Sequence, residues 1–294
     1  MQQQDWKLLS WCGISFFIPQ KWSVGKIQGD ETEGSLRIDD PLVERIQLIW
    51  KRTPPGQIGK FVDRHLREIQ KKARKKELQF CAKRNLKHPI NKRFEGELFY
   101  WKADSQVYNL CLQTGGKHNR VVFLRILGNL EEDLESKADR IVSSLKLERE
   151  LPYRHWALFG LDVTVPQQFR LDGYHLLAGH VRLNFTTGDQ KLQVNKFSLG
   201  QIVLEKQPLE DWVLERFKPE LKRFKFATER ESIHKHLGLA IQGERRGFLA
   251  RYLKGDKIHL YAWFCPEANN IFVVLDRYKK ACDIKKVVDN VLCH

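Results

Sequence analysis

The sequence predicts an α+β chain of two similar domains, each an antiparallel sheet flanked by helices. Two observations carry that prediction. Gly13-Ile14-Ser15-Phe16-Phe17-Ile18-Pro19-Gln20-Lys21-Trp22 returns, ungapped and 147 residues later, as Gly160-Leu161-Asp162-Val163-Thr164-Val165-Pro166-Gln167-Gln168-Phe169. The segments that follow keep the same order in both halves, as a tandem duplication would. Within each half the apolar period also switches from two residues to three or four and back, giving the order β-β-β-α-β-β-β-α. A sheet covered by helices is the economical way to bury such a set. The expected bounds are 1–148 for the first copy, 149–154 for a charged linker containing Pro152, and 155–294 for the second copy.

Each half opens on a short strand closed by proline, Ile14 to Ile18 and Val163 to Val165, because proline ends ladder pairing. Gly34 to Ile38 and Gly179 to Leu183 follow as second strands. Arg45 to Trp50 and Lys191 to Val194 then alternate apolar and polar residues, as half-buried strands do. Ile58, Phe61, Val62, His65, Leu66 and Ile69 recur on one face of a helix, echoed by Leu209, Trp212, Val213, Phe217 and Leu221. Pro219 breaks or kinks the second of these helices.

Three strands come next in each copy: Arg93–Lys102, Gln106–Gln113 and Arg120–Leu127, then Leu239–Leu253, Lys257–Phe264 and Ile271–Arg277. Leu239–Leu253 is long enough to hold a loop or bulge near Gly243 to Gly247. Ala103-Asp104-Ser105, Lys254-Gly255-Asp256, Gly115 to Asn119 and Pro266 to Asn270 read as turns. Leu134, Ala138, Ile141, Val142 and Leu145 form a closing helix, with Asn129 and Glu132 as its capping pair. Ile284, Val287, Val288, Val291 and Leu292 form the second closing helix.

A strand ending in Pro-x-x-aromatic (Pro19 to Trp22, Pro166 to Phe169) and a closing helix after the last strand resemble the PsbP-like superfamily, once per half. That resemblance implies an α/β/α sandwich in each domain. It also implies a family that mostly binds partners and performs no chemistry.

The 42% apolar and 30% charged composition of the 294 residues is globular. No apolar run is long enough to cross a membrane, and the N-terminus reads as carrying no secretory signal. Six cysteines with no CxxC pair read as free thiols in a reducing cytoplasm. Fifty-one basic against 36 acidic residues give a net charge of +15. Residues 1–150 hold 28 against 20, and the remainder 23 against 16, so the excess is no tail. Acidic proteins, polyanions and anionic surfaces are the partners such a charge favours.

Chemistry is harder to find. The phosphate loops GxxxxGK[ST] and GxGxxG, the GxSxG elbow and the HExxH helix are all missing. His234-Lys235-His236 places two imidazoles on one side of an extended segment, with Cys265, Cys282, Cys293 and His294 further along. These are zinc-type donors, but they lack zinc-ribbon spacing, so no metal and no cofactor is expected. His65 reads as a core-edge residue, and Cys12 and Cys111 as packed thiols. Asp39-Asp40 and Glu131-Glu132-Asp133 face no second acid, so no catalytic residue is assigned.

The basic segments are the strongest lead: Lys71, Lys72, Arg74, Lys75 and Lys76 in the first copy, and Lys218, Lys222, Arg223 and Lys225 in the second. Five cations in six residues exceed what a helix dipole stabilises. Phe224 and Phe226 interleave with the second cluster, as stacking on bases would require. The expected function is a non-enzymatic interaction, scaffold or chaperone-like protein that binds a protein partner. The alternatives are a nucleic-acid-binding protein using the basic clusters, and a divergent metal-dependent enzyme built on His234, His236 and Cys265.

Overall fold

A computed structural model describes residues 6–54, 56–114, 119–147, 152–188, 190–246, 256–279 and 284–294. The chain divides into two compact units, Met1–Arg149 and Glu150–His294. Tyr153 and Arg154, read from sequence as linker, already belong to a strand, and residues 149–151 of that linker lie outside the described residues.

The first unit opens on a hairpin of β1 (Trp6–Trp11) and β2 (Ile14–Pro19). Cys12 (φ 51°) and Gly13 (φ 75°) form its two-residue turn, with both residues left-handed as a type I′ turn needs. There follow β3 (Ser23–Gly29), β4 (Gly34–Asp39), β5 (Glu44–Arg52), α1 (Ile58–Lys75), β6 (Cys81–Lys83) and α2 (Ile90–Arg93). The unit closes with β7 (Glu95–Lys102), β8 (Gln106–Gln113), β9 (Arg120–Gly128), α3 (Leu134–Ser144) and β10 (Lys146–Leu147). One antiparallel sheet runs β3-β4-β5-β9-β8-β7-β6, and β10 joins the hairpin beside β2.

The second unit keeps the order of the strands, but three short helices stand where α1 does, and among the described residues no helix matches α2 and no strand matches β10. It begins with the hairpin of β11 (Tyr153–Leu158) and β12 (Leu161–Pro166), turned by Phe159 (φ 50°) and Gly160 (φ 73°). Next come β13 (Arg170–Leu177), β14 (His180–Thr187), β15 (Gln190–Ser198), α4 (Gly200–Leu204), α5 (Leu209–Arg216) and α6 (Lys218–Leu221). The rest is β16 (Phe224–Ile233), β17 (His236–Arg245), β18 (Lys257–Cys265), β19 (Asn270–Tyr278) and α7 (Ile284–Asp289). Its sheet runs β13-β14-β15-β19-β18-β17-β16. Pro219 is the second residue of α6, where its missing N–H leaves no helical bond unmade.

The α/β/α sandwich is corrected by this architecture: 53% of the described residues are strand and 21% helix, arranged as antiparallel sheets. Coverage explains the difference. In the first unit α1 packs through Ile58 and Val62 onto Phe99, Trp101, Val107, Cys111 and Phe123, the β7–β9 half of one face. The same face of β4 and β5 presents Ser35, Arg37, Gln47 and Ile49, and Ile49 is 44% exposed. The opposite face buries Ile46, Leu48, Leu110, Leu124 and Ile126. Arg120 on that face reaches the carbonyl of Cys12 at 3.1 Å, tying the β1–β2 turn down. Lys196 does the same in the second unit, donating to the carbonyl of Phe159 at 2.7 Å. Half of each cover is therefore hairpin, where the sequence reading places helix.

The capping pair of α3 also differs. Asp133 is the N-cap, accepting from the Ser136 N–H at 3.2 Å, while Glu132 is held by Arg45 at 2.6 Å. The Lys257 strand is preceded by Lys254-Gly255, and the β8–β9 connection contains Gly115 to His118; both lie outside the described residues, as do Gly247 and Cys282.

Candidate functional site

Helix α1 gathers the first basic cluster. Its apolar residues turn inward, so Lys71, Lys72, Arg74 and Lys75 are exposed, and Lys76 follows as the C-cap. The phase of the helix extends the cluster. Lys60, Arg64, Arg67, Lys71 and Arg74 recur at three- and four-residue intervals and form one cationic stripe along the outer face. Among the described residues none of these five has an ion-pair partner, whereas Lys76 approaches Asp104 at 3.4 Å. Two exposed acids of α1, Asp63 and Glu68, flank the stripe; Asp63 pairs with Arg84, whose Nε also donates to Glu97 at 2.7 Å.

Beside the N-terminal half of α1 lies a groove of about 600 Å³. Ile49, Phe61, Val121 and Phe123 supply its apolar surface, and Lys51, Lys60, Arg64 and Arg67 its basic rim. The groove exists because α1 stops short of β5, leaving Ile49 without helical cover. His65 stands nearby between Phe61 and Phe123, its ring 5.2 Å from that of Phe123. Burial, aided by Arg125 and Lys72, pushes its pKa down to about 4, so the ring is neutral at pH 7.

The second cluster is divided among elements. Lys218 is exposed on α6, and Lys225 lies on the edge strand β16 opposite Glu244. Lys222 and Arg223 line a pocket of about 510 Å³ together with Lys191, Arg277, Asp172 and Glu220. Asp256 engages Arg277 at 2.5 Å. The stacking role expected of Phe224 and Phe226 does not hold. Phe224 is 3% exposed within the core beneath α5 and α6, and Phe226 packs against that same core.

The histidine segment is also not extended. His234 (φ 51°) and Lys235 (φ 66°) form a two-residue turn between β16 and β17. His234 turns away to the carbonyl of Val288 at 2.8 Å, while His236 joins Cys265, Cys293 and His294. The donor atoms of these four lie within 4.8 Å of one another. Cys293 Sγ is 3.7 Å from His236 Nε2 and 3.3 Å from His294 Nδ1, and Cys265 Sγ is 3.5 Å from His294 Nδ1. The Cys265 thiol also donates to Glu267 at 3.4 Å, and burial raises its pKa. The sequence reading names all four among its zinc-type donors and sets them aside on spacing, because the members come from three separate elements. In the first unit His88 instead contacts Ser143 at 3.2 Å and Asp139 at 3.3 Å.

No family model matches the sequence. No curated protein matches it either. Among solved structures, the Tle4–Tli4 complex aligns at a TM-score of 0.37 with 7% identity, over 99% of this chain and 98% of that one. The immunity protein TplEi of the T6SS from Pseudomonas aeruginosa, complexed with "L" peptide, aligns at 0.36 with 7% identity, over the same shares of 99% and 98%. Both likenesses are too distant to assign a fold family.

Proposed function

We propose that the protein is a non-enzymatic binding protein whose first unit captures an acidic polypeptide. One observation carries the reading: five cations stand in line on α1 beside an apolar groove. Like charges on one helix face repel, and an acidic partner relieves that repulsion while steering its own approach. The apolar floor then rewards a partner that interleaves aliphatic with acidic residues, since exposed apolar area marks a contact surface. The matching strand orders of the two sheets and the matching turns at Gly13 and Gly160 support reading the chain as two copies of one binding domain. Free thiols at Cys12, Cys81, Cys111, Cys265 and Cys293 favour a cytoplasmic setting.

Fluorescence anisotropy with a Glu/Leu-rich peptide and with single-stranded DNA tests this. The double variant Arg64→Glu/Lys71→Glu weakens peptide binding by about tenfold or more, roughly 1.4 kcal/mol. Unchanged peptide affinity in that variant sinks the proposal. Nucleic acid is the second reading, favoured by the convergence of Lys191, Lys222, Arg223 and Arg277 on one pocket. It takes over if DNA binds more tightly than peptide, with a steep salt slope that Lys222→Glu/Arg223→Glu abolishes.

A further inference from the structure

Two of the four converging donors are placed by the sheet itself. In the β17–β18 ladder Gly238 pairs with Trp263, and continuing that register by two residues sets His236 opposite Cys265 on the same side. The other two arrive on the segment after α7. Leu292 donates its N–H to the carbonyl of Asp162 at 2.9 Å, and Val291 bridges to Val163, which fixes where Cys293 and His294 begin. Residues 292–294 lie outside any strand, so neighbouring side chains need not alternate, and both can face the same point.

We propose that His236, Cys265, Cys293 and His294 bind a single zinc ion as a closed, structural Cys2His2 centre. Geometry carries this. With Zn–S near 2.3 Å and Zn–N near 2.0–2.1 Å, a tetrahedral site sets sulfur and nitrogen donors about 3.6 Å apart. The measured separations are 3.3, 3.5 and 3.7 Å. Donor chemistry narrows the ion, because two thiolates and two imidazoles favour zinc over the oxygen-seeking magnesium and calcium. Four protein donors leave no open position for substrate, which makes the role structural rather than catalytic.

The surroundings agree with a staple. Cys265 is 0% exposed and Cys293 8%, so the sulfurs are shielded. The turn before His236 holds two non-glycine residues in left-handed conformation, a strain that persists where the surrounding structure over-determines it. The ion ties the start of β17, the end of β18 and the segment behind α7 into one point. None of this depends on the reading of α1.

The test loads the full chain with zinc sulfate under reductant, removes excess metal and measures zinc by plasma mass spectrometry. One zinc per chain is expected, with nearly complete loss in Cys265→Ser and Cys293→Ser. Chelation is expected to lower the unfolding midpoint by several degrees, as for other sites where metal binding is coupled to folding. Cobalt(II) titration of the wild-type chain keeps the proposal exposed even if those variants fold poorly. It should give the visible bands of a tetrahedral, thiolate-ligated ion at one equivalent. Zinc retained in the double serine variant, or no such bands in the wild-type chain, overturns the proposal. So does a wild-type mass lighter by two hydrogens in the presence of reductant, which would mark a Cys265–Cys293 disulfide.

Discussion

Asp276 is a carboxyl fully buried in the middle of β19, with Gln190 Nε2 donating to it at 2.9 Å. Burial pushes its pKa up to about 6, against 3.8 in the unfolded chain. The folded state therefore holds more protons than the unfolded state between about pH 4 and 6, and its stability falls as pH rises through that window. Asp276→Asn removes the charge and keeps an acceptor for Gln190. It is expected to stabilise the protein by about 1–2 kcal/mol at pH 8 and to flatten the profile between pH 4 and 6, as read by urea unfolding. Arg45 has the opposite sign. It joins Asp40 at 2.5 Å and Glu132 at 2.6 Å, and all three side chains are largely buried. Burial alone would raise both carboxyls, but hydrogen bonds from Val43, Leu42 and Arg45 hold Asp40 below its ordinary range, and those from Lys137 and Arg45 do the same for Glu132. That stability is present at neutral pH and lost as pH falls through the depressed values. Arg45→Met leaves Asp40 to the Leu42 and Val43 amides and Glu132 to Lys137, and loss of the guanidinium's charged hydrogen bonds is expected to cost about 2 kcal/mol at pH 7. The deficit should shrink as pH falls through the depressed carboxyl values; a deficit that does not change with pH would assign the loss to packing instead.

At the scale of the element, turns decide what could be read ahead of the structure. The sequence reading uses Gly13 and Gly160 only to open the repeat, although each supplies the left-handed backbone of a hairpin turn, whereas α1 announces itself by its apolar spacing. Strands β1 and β11, on the other side of those glycines, went unread because Trp6 to Trp11 and Tyr153 to Leu158 do not alternate cleanly. Strand β6 is exposed at all three residues, so it carries no burial pattern to detect. The His234-Lys235 turn was invisible for a related reason, since neither residue signals left-handed backbone. That mismatch is testable. Lys235→Gly removes the strain of a side chain at φ 66° and is expected to stabilise the second unit by about 0.5–1 kcal/mol in thermal unfolding. A loss of stability would mean that Lys235 makes a contact outweighing its backbone cost. The cationic stripe was half legible. Charge density gave Lys71 to Lys76, but Lys60, Arg64 and Arg67 join it only once the helix phase is fixed.

At the scale of the whole molecule the dominant quantity is charge. The net +15 is shared as +8 in residues 1–150 and +7 in the remainder, so each unit carries its own excess. Excess charge of one sign destabilises a compact state by self-repulsion, and salt screens it. Moving from 20 to 200 mM salt shortens the screening length from about 20 to about 7 Å, below the spacing of most surface charges. The largely buried Arg45 network is screened much less, because its charges are withdrawn from solvent. Repulsion should therefore weaken more than the favourable pairs, and the unfolding midpoint should rise by a few degrees over that range. Lys71→Glu/Arg74→Glu removes four units of charge from the stripe and is expected to raise the midpoint at 20 mM salt while blunting its response to further salt. A wild-type midpoint that stays flat or falls with salt would show that ion pairs outweigh net repulsion. The stripe would then be held at little energetic cost, and relief of repulsion could not be what draws an acidic partner to α1.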